Sequence, residues 1–149
     1  MQLTQHTDYA LRLMIVLARG DGAVSLPAFA ADQGLSYNHI AKVAQALVHA
    51  GFVDSRRGRN GGVVLAQEAA GITIGAVVRA MEPGLRLANC GQCALRGDCG
   101  LSSVLARALE AFLAVLDATS LAAIAARHEP AFVPWTLPVL PEGCASSSS

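Results

Sequence analysis

Three cysteines, Cys90, Cys93 and Cys99, fall within ten residues of one another in a 149-residue chain, and thiolate is a soft ligand suited to iron–sulfur clusters and zinc. The first two form a CxxC pair, five residues separate the second from the third, and Gly91, Gly97 and Gly100 supply bends that let thiolates converge. Cysteines clustered in this way bind metal or do redox chemistry. Iron–sulfur and structural zinc sites usually take four protein ligands, so this set lacks one. Cys144, far downstream among prolines, is one candidate for it. The plain alternatives are three unliganded thiols or a reversible Cys90–Cys93 disulfide.

A second chemistry-bearing group is basic. Arg56, Arg57 and Arg59 lie within four positions, followed by Asn60, and Gly58, Gly61 and Gly62 are interspersed with them. Clustered cations on a thin glycine-rich loop can follow a phosphate backbone or enter a DNA minor groove. No helix start follows Gly61-Gly62, as a nucleotide-binding phosphate loop would require. A third group, Ser36, Tyr37, Asn38, His39 and Lys42, can hydrogen-bond throughout. Asn can pair with adenine through two bonds, and Lys can reach guanine or a phosphate. Its plain alternative is a solvated helix face.

The elements that must position these groups follow from periodicity and stop signals. Tyr9, Leu13, Val16 and Leu17 share one face of a first helix over about residues 7–18. Ser25 as cap, Pro27 in the first turn and Gly34 at the end frame a short second helix. Gly34, Leu35 and Ser36 form a turn, and a third helix carries Ile40, Val43, Leu47 and Val48 on one side until Gly51 stops it. That is helix-turn-helix spacing, and it puts Ser36 to Lys42 at the start of a reading helix. Residues 52–55 and 63–66 read as strands around the Arg/Gly turn, a hairpin or wing. Thr73 caps a fourth helix through Met81, and Glu82-Pro83-Gly84 breaks it before the cysteine loop. Apolar residues then recur at 101, 105, 109, 112, 113 and 116, a stripe suited to helix-on-helix association.

The expected fold is therefore mainly α with a small β-hairpin wing: a winged helix-turn-helix plus a long dimerisation helix. Residues 1–81 form the DNA-binding domain, 82–100 the cluster loop, 101–127 the dimerisation helix, and 128–149 an extended arm and tail. Hydrophobic residues make up 53% of the chain and charged residues 15%, at zero net charge, which suggests surface that a second copy covers. No apolar run reaches the roughly 18 residues of a membrane span, and the N-terminus lacks the basic start and apolar core of a secretory signal. The expected location is the cytoplasm, with no membrane partner. No nucleophile–base pair, metalloprotease motif or phosphate loop suggests an enzyme.

With these residues in view, the chain resembles the Rrf-type winged-helix iron–sulfur regulators, in particular their nitric-oxide-sensing repressor branch. The likeness rests on Met1-Gln2-Leu3-Thr4 with Thr7-Asp8-Tyr9 and Leu11-Arg12, on Asn38-His39 and Lys42, and on Ala50 to Val53. It continues through Arg57 to Gly62, Ile74 to Val78, Met81-Glu82-Pro83 and Leu87 to Cys90, then Phe112-Leu113, Leu116-Asp117 and Leu121. The resemblance implies a homodimer on double-stranded operator DNA. In it, Cys90, Cys93 and Cys99 of one subunit and Asp8 of the partner subunit would hold an iron–sulfur cluster, 4Fe-4S by the branch pattern, that nitric oxide damages, releasing the repressed genes. The residues alone give Asp8 a different part, capping a helix start and pairing with Arg12. The chain departs from the family in having only two residues between its first two cysteines, so 2Fe-2S stays open beside 4Fe-4S. A sister branch that regulates cluster assembly carries a histidine three residues after the last cysteine, where this chain has Ser102.

Other functions compete. An iron-status, zinc or thiol-redox regulator could share the fold. A small iron–sulfur electron carrier would need neither the wing nor the helix-turn-helix, and usually supplies four cysteines.

Overall fold

The computed structural model describes residues 2–95 and 98–127. Six helices and one hairpin follow in the order α1 (Gln5–Arg19), α2 (Leu26–Asp32), α3 (Tyr37–His49), β1 (Val53–Arg56), β2 (Gly62–Leu65), α4 (Ile74–Met81), α5 (Leu101–Asp117) and α6 (Leu121–Ala126). No described helix is long and apolar enough to cross a membrane. The expected arm over 128–149, Cys144 and Gly97 lie outside the described residues.

The core forms where α1, α3, α4 and α6 converge. Leu13, Met14, Ile40, Leu47, Ile72, Val77, Val78 and Leu121 are fully buried, each adding about 1.5–3 kcal/mol of apolar burial. Local signals set the element ends. Thr4 caps α1, its hydroxyl accepting from the Thr7 N–H at 3.4 Å, so the cap is Thr4 and not Asp8. Thr73 caps α4 through the Ala76 N–H at 3.1 Å. Gly34 (φ 64°) and Gly51 (φ 78°) take the left-handed conformation that closes α2 and α3.

The wing pairs β1 and β2 antiparallel, Val53 opposite Leu65 and Arg56 opposite Gly62. Val24 adds a bridge that the sequence did not reveal, exchanging hydrogen bonds with Val63 at 2.9 and 3.0 Å. Gly62 makes this possible, because a Cβ there would collide with the Val24 carbonyl.

The segment read as one dimerisation helix over 101–127 is two helices. Asp117 ends α5, and Ser120 starts α6, its hydroxyl accepting from the Ala123 N–H at 3.2 Å. The break is stitched to the start of α4: the Ile74 N–H donates to the Thr119 carbonyl at 2.9 Å, and the Leu121 N–H to the Ile72 carbonyl at 2.8 Å. From there α6 returns onto α1, where Arg19 donates to the carbonyls of Ala125 and Arg127, both at 3.1 Å.

Candidate DNA interface and cysteine loop

The amphipathic α3 turns Ile40, Val43, Ala44 and Leu47 into the core and leaves Ser36, Tyr37, Asn38, His39 and Lys42 exposed. Ser36 and Ser25 occupy cap positions but make no side-chain cap bond. Their hydroxyls are therefore not committed to their own helices, unlike those of Thr4 and Thr73. On one flank of α3 the wing turn carries Arg57, Arg59 and Asn60, all exposed. A tight turn at Gly58 (φ 117°), with the Gly61 N–H donating to the Gly58 carbonyl at 2.9 Å, holds them. Between wing and helix lies a hollow of about 240 Å³ bordered by Ser25, Tyr37, Ser55 and Arg56. Arg56 and Ser25 thus join this surface, though the first was read only as part of a charge cluster and the second only as a cap.

The cysteine loop joins α4 to α5. Cys90 lies on a single 3-10 turn, Cys90–Gln92, and the Cys93 N–H donates back to the Cys90 carbonyl at 3.4 Å. Cys99 lies just before α5, its carbonyl accepting from the Ser102 hydroxyl at 2.9 Å. Cys90 and Cys93 are exposed, Cys99 is half-buried, and all three are free thiols. Among the described residues no three His, Cys, Asp or Glu side chains stand together as a metal site. The chemistry of the donor set nevertheless fits an iron–sulfur group: three free, soft thiols on one glycine-bearing loop, two of them exposed.

Asp8 lies in the first turn of α1 and does not join a metal-binding group among the described residues. Its carboxylate takes both bonds of Arg12, Nε at 3.2 Å and Nη2 at 2.8 Å, as the i,i+4 spacing suggested. It borders a hollow of about 340 Å³ with Gln2, Leu3, Gln5 and Leu11. The start of α1 is tied to the start of the cysteine loop by Glu82, which accepts the Thr4 N–H at 2.5 Å. Burial pushes the Glu82 carboxyl up, but hydrogen bonds from Thr4 and Thr7 and the nearby His6 outweigh it and hold the carboxyl below its ordinary value.

One side of α5 packs on α4, with Leu113 and Leu116 against the core. The stripe read for association is therefore partly turned inward. The open side carries Leu101, Val104, Ala108, Ala111 and Val115, all exposed, at alternating spacings of three and four. That is the seam spacing of paired helices.

Comparison with known proteins agrees with this architecture. The chain is 43% identical over 129 residues to the HTH-type transcriptional regulator NsrR of Geobacillus kaustophilus, covering 82% of this chain and 88% of that protein. Among solved structures it is similar to B. subtilis CymR (YrzC), described as the global cysteine regulator, at 30% identity and a TM-score of 0.72, covering 84% of this chain and 96% of the other. It is also similar to T. potens IscR, at 30% identity and a TM-score of 0.69, covering 83% and 85%. These relatives are regulators of transcription, not enzymes, and the fold is their winged helix. Residues 3–127 match the family described as Rrf2, iron-dependent transcriptional regulator, and the chain belongs to that family.

Proposed function

We propose that the protein is a homodimeric repressor that binds operator DNA through α3 and the wing and releases it when nitric oxide damages an iron–sulfur cluster. Cys90, Cys93 and Cys99 would hold the cluster, with Asp8 of the partner subunit as the fourth ligand. The observation that carries this reading is the position of the three free thiols, on the loop between the DNA-binding body at α4 and the open face of α5. A group held there stands between the reading helices and the second subunit. When bound, it supplies iron that reacts with nitric oxide.

The chain's own residues have separate tasks. Asn38 and its neighbours present hydrogen-bonding groups to base edges, while Arg57, Arg59 and Asn60 line the adjacent groove. The open seam of α5 meets its copy. As a ligand, Asp8 would offer one carboxylate oxygen to iron, and Arg12 could stay on the other and hold its orientation.

The test is an anaerobic preparation of the full chain. It should be brown, with a visible band that nitric oxide bleaches, and should retain a duplex in a strongly salt-dependent way before but not after exposure. A colourless protein containing zinc or no metal, yet still binding DNA, would favour the second reading, a zinc or thiol-redox regulator. The exposure of Cys90 and Cys93 is the feature that favours it.

A further inference from the structure

The reading helix has a second hollow on the flank away from the wing. It measures about 180 Å³ and is formed by Gln5, His6 and Tyr9 of α1 and His39 and Lys42 of α3, over Val43. With about 100° of turn per residue in an α-helix, His39, Lys42 and Val43 centre roughly half a turn round from Tyr37, which borders the wing-side hollow. Asn38 and Gln45, both exposed, lie between the two flanks. The outward face of α3 thus runs along a ridge with a hollow on each side.

That shape matches a helix in a major groove about 12 Å wide with a phosphate backbone along each rim. The chemistry of the second hollow agrees. Each of its five polar side chains can donate a hydrogen bond, and no carboxylate lines it. Of the nearby carboxylates, Asp8 pairs with Arg12, and Glu82 accepts from Thr4 and stands close enough to His6 for the two charges to attract. A hollow in which every polar side chain can donate, one of them the Lys42 cation, suits an anionic acceptor, and phosphate contacts fix the register of a protein on DNA without reading sequence.

We propose that this hollow takes a backbone phosphate of the DNA on the rim away from the wing. Gln5, His6 and Tyr9 then become DNA-contacting residues of the first helix, and His39 and Lys42 serve the backbone rather than the bases. The proposal rests on the reading that α3 enters a major groove.

The test uses the full-length dimer and a duplex it selects from a random library. If no duplex is retained, the DNA reading itself fails and this proposal with it. Given a retained duplex, three changes address the hollow. Gln5→Glu adds a negative charge at the first residue of α1, where a carboxylate suits the helix dipole, so the fold should tolerate it. Tyr9→Phe removes only a hydroxyl. Lys42→Gln removes a charge. Gln5→Glu should weaken binding at least tenfold and Tyr9→Phe several-fold, on all retained duplexes alike and with their rank order kept. Lys42→Gln should flatten the salt dependence by about 1.8 in log–log slope, the loss of one phosphate contact per subunit and so two per dimer. A single uncharged methylphosphonate link on the rim away from the wing should weaken wild type but not Lys42→Gln. Wild-type affinity in Gln5→Glu and Tyr9→Phe, or no link whose effect depends on Lys42, would overturn the proposal. Unchanged DNA affinity in Gln5→Glu, together with lost thermal stabilisation by inorganic phosphate, would assign the hollow to a free anion instead.

Discussion

Arg79 on α4 grips Asp117 at the end of α5 in a two-bond fork, Nη2 to Oδ2 at 2.7 Å, directly over Gly75. A Cβ on Gly75 would run into the same carboxylate. Gly75→Ala must push α5 away from α4 or break the fork, and the crowding should cost about 1–3 kcal/mol. Urea unfolding of the two proteins side by side measures it, and equal midpoints would show that the helices separate freely.

The fork also sets a pH signature. The hydrogen bond from Arg79 holds the Asp117 carboxyl below its ordinary 3.8. Its contribution to stability is therefore complete above that unfolded value and disappears as pH falls through the lower folded value. The stability gap between wild type and Asp117→Asn should stay constant from neutrality to about pH 5 and close below it. A gap that opens on acidification would contradict the sign. Both groups are exposed, so salt should narrow the gap at neutral pH.

Leu121 is fully buried although it begins the short α6. Leu121→Ala should destabilise the protein by about 2–5 kcal/mol, as for other buried leucines. Hydrogen exchange should then show α6 and the adjoining face of α1 opening together. A loss under half a kcal/mol would mean that α6 is not part of the core in solution.

The seam of α5 should hold the dimer. Val104→Glu with Val115→Glu places charges at two exposed apolar positions, 56% and 68% accessible in the single chain. Sedimentation should report a monomer with native helical content, since the opposite side of α5 still rests on α4. A dimer that survives both charges would move the interface elsewhere.

Asp8 of the partner subunit as a cluster ligand is tested by mixing subunits. Co-expressing Asp8→Ala with Cys93→Ala chains and isolating the mixed dimer anaerobically leaves one complete site if the ligand comes from the partner, and none if it comes from the same chain. Half the native visible intensity, with a native response to nitric oxide, is the expected result. No native site would remove the cross-subunit ligand even if the protein still bound DNA.

On the wing, Arg59→Ala should weaken specific DNA binding and leave the visible spectrum intact. Asn38→Ala should lower discrimination at its base by about 1–3 kcal/mol. Unchanged affinity at moderate salt would take the wing off the DNA.

The winged helix was legible because its boundaries are written in local chemistry. Thr73 caps and Gly34 and Gly51 stop their helices for reasons internal to a few residues. What escaped depends on distant partners. Val24 reads as loop until Val63 arrives to pair with it, and Ser25 and Ser36 look like caps until their geometry leaves the hydroxyls free. The break at Thr119-Ser120 had a signal in Ser120, a good cap residue, masked by the apolar run on both sides. The hollow beside α1 left no trace in any single stretch, because residues 5–9 and 39–43 meet only in the fold.

Gln5 borders both the hollow beside α3 and the hollow around Asp8. Both are built on the first turns of α1, so their relative orientation depends on the count of residues between Gln5 and Asp8. Inserting or deleting a single residue there would rotate one against the other by about 100°. On the reading proposed above, a change in the spacing of these few residues would uncouple what is sensed from what is read.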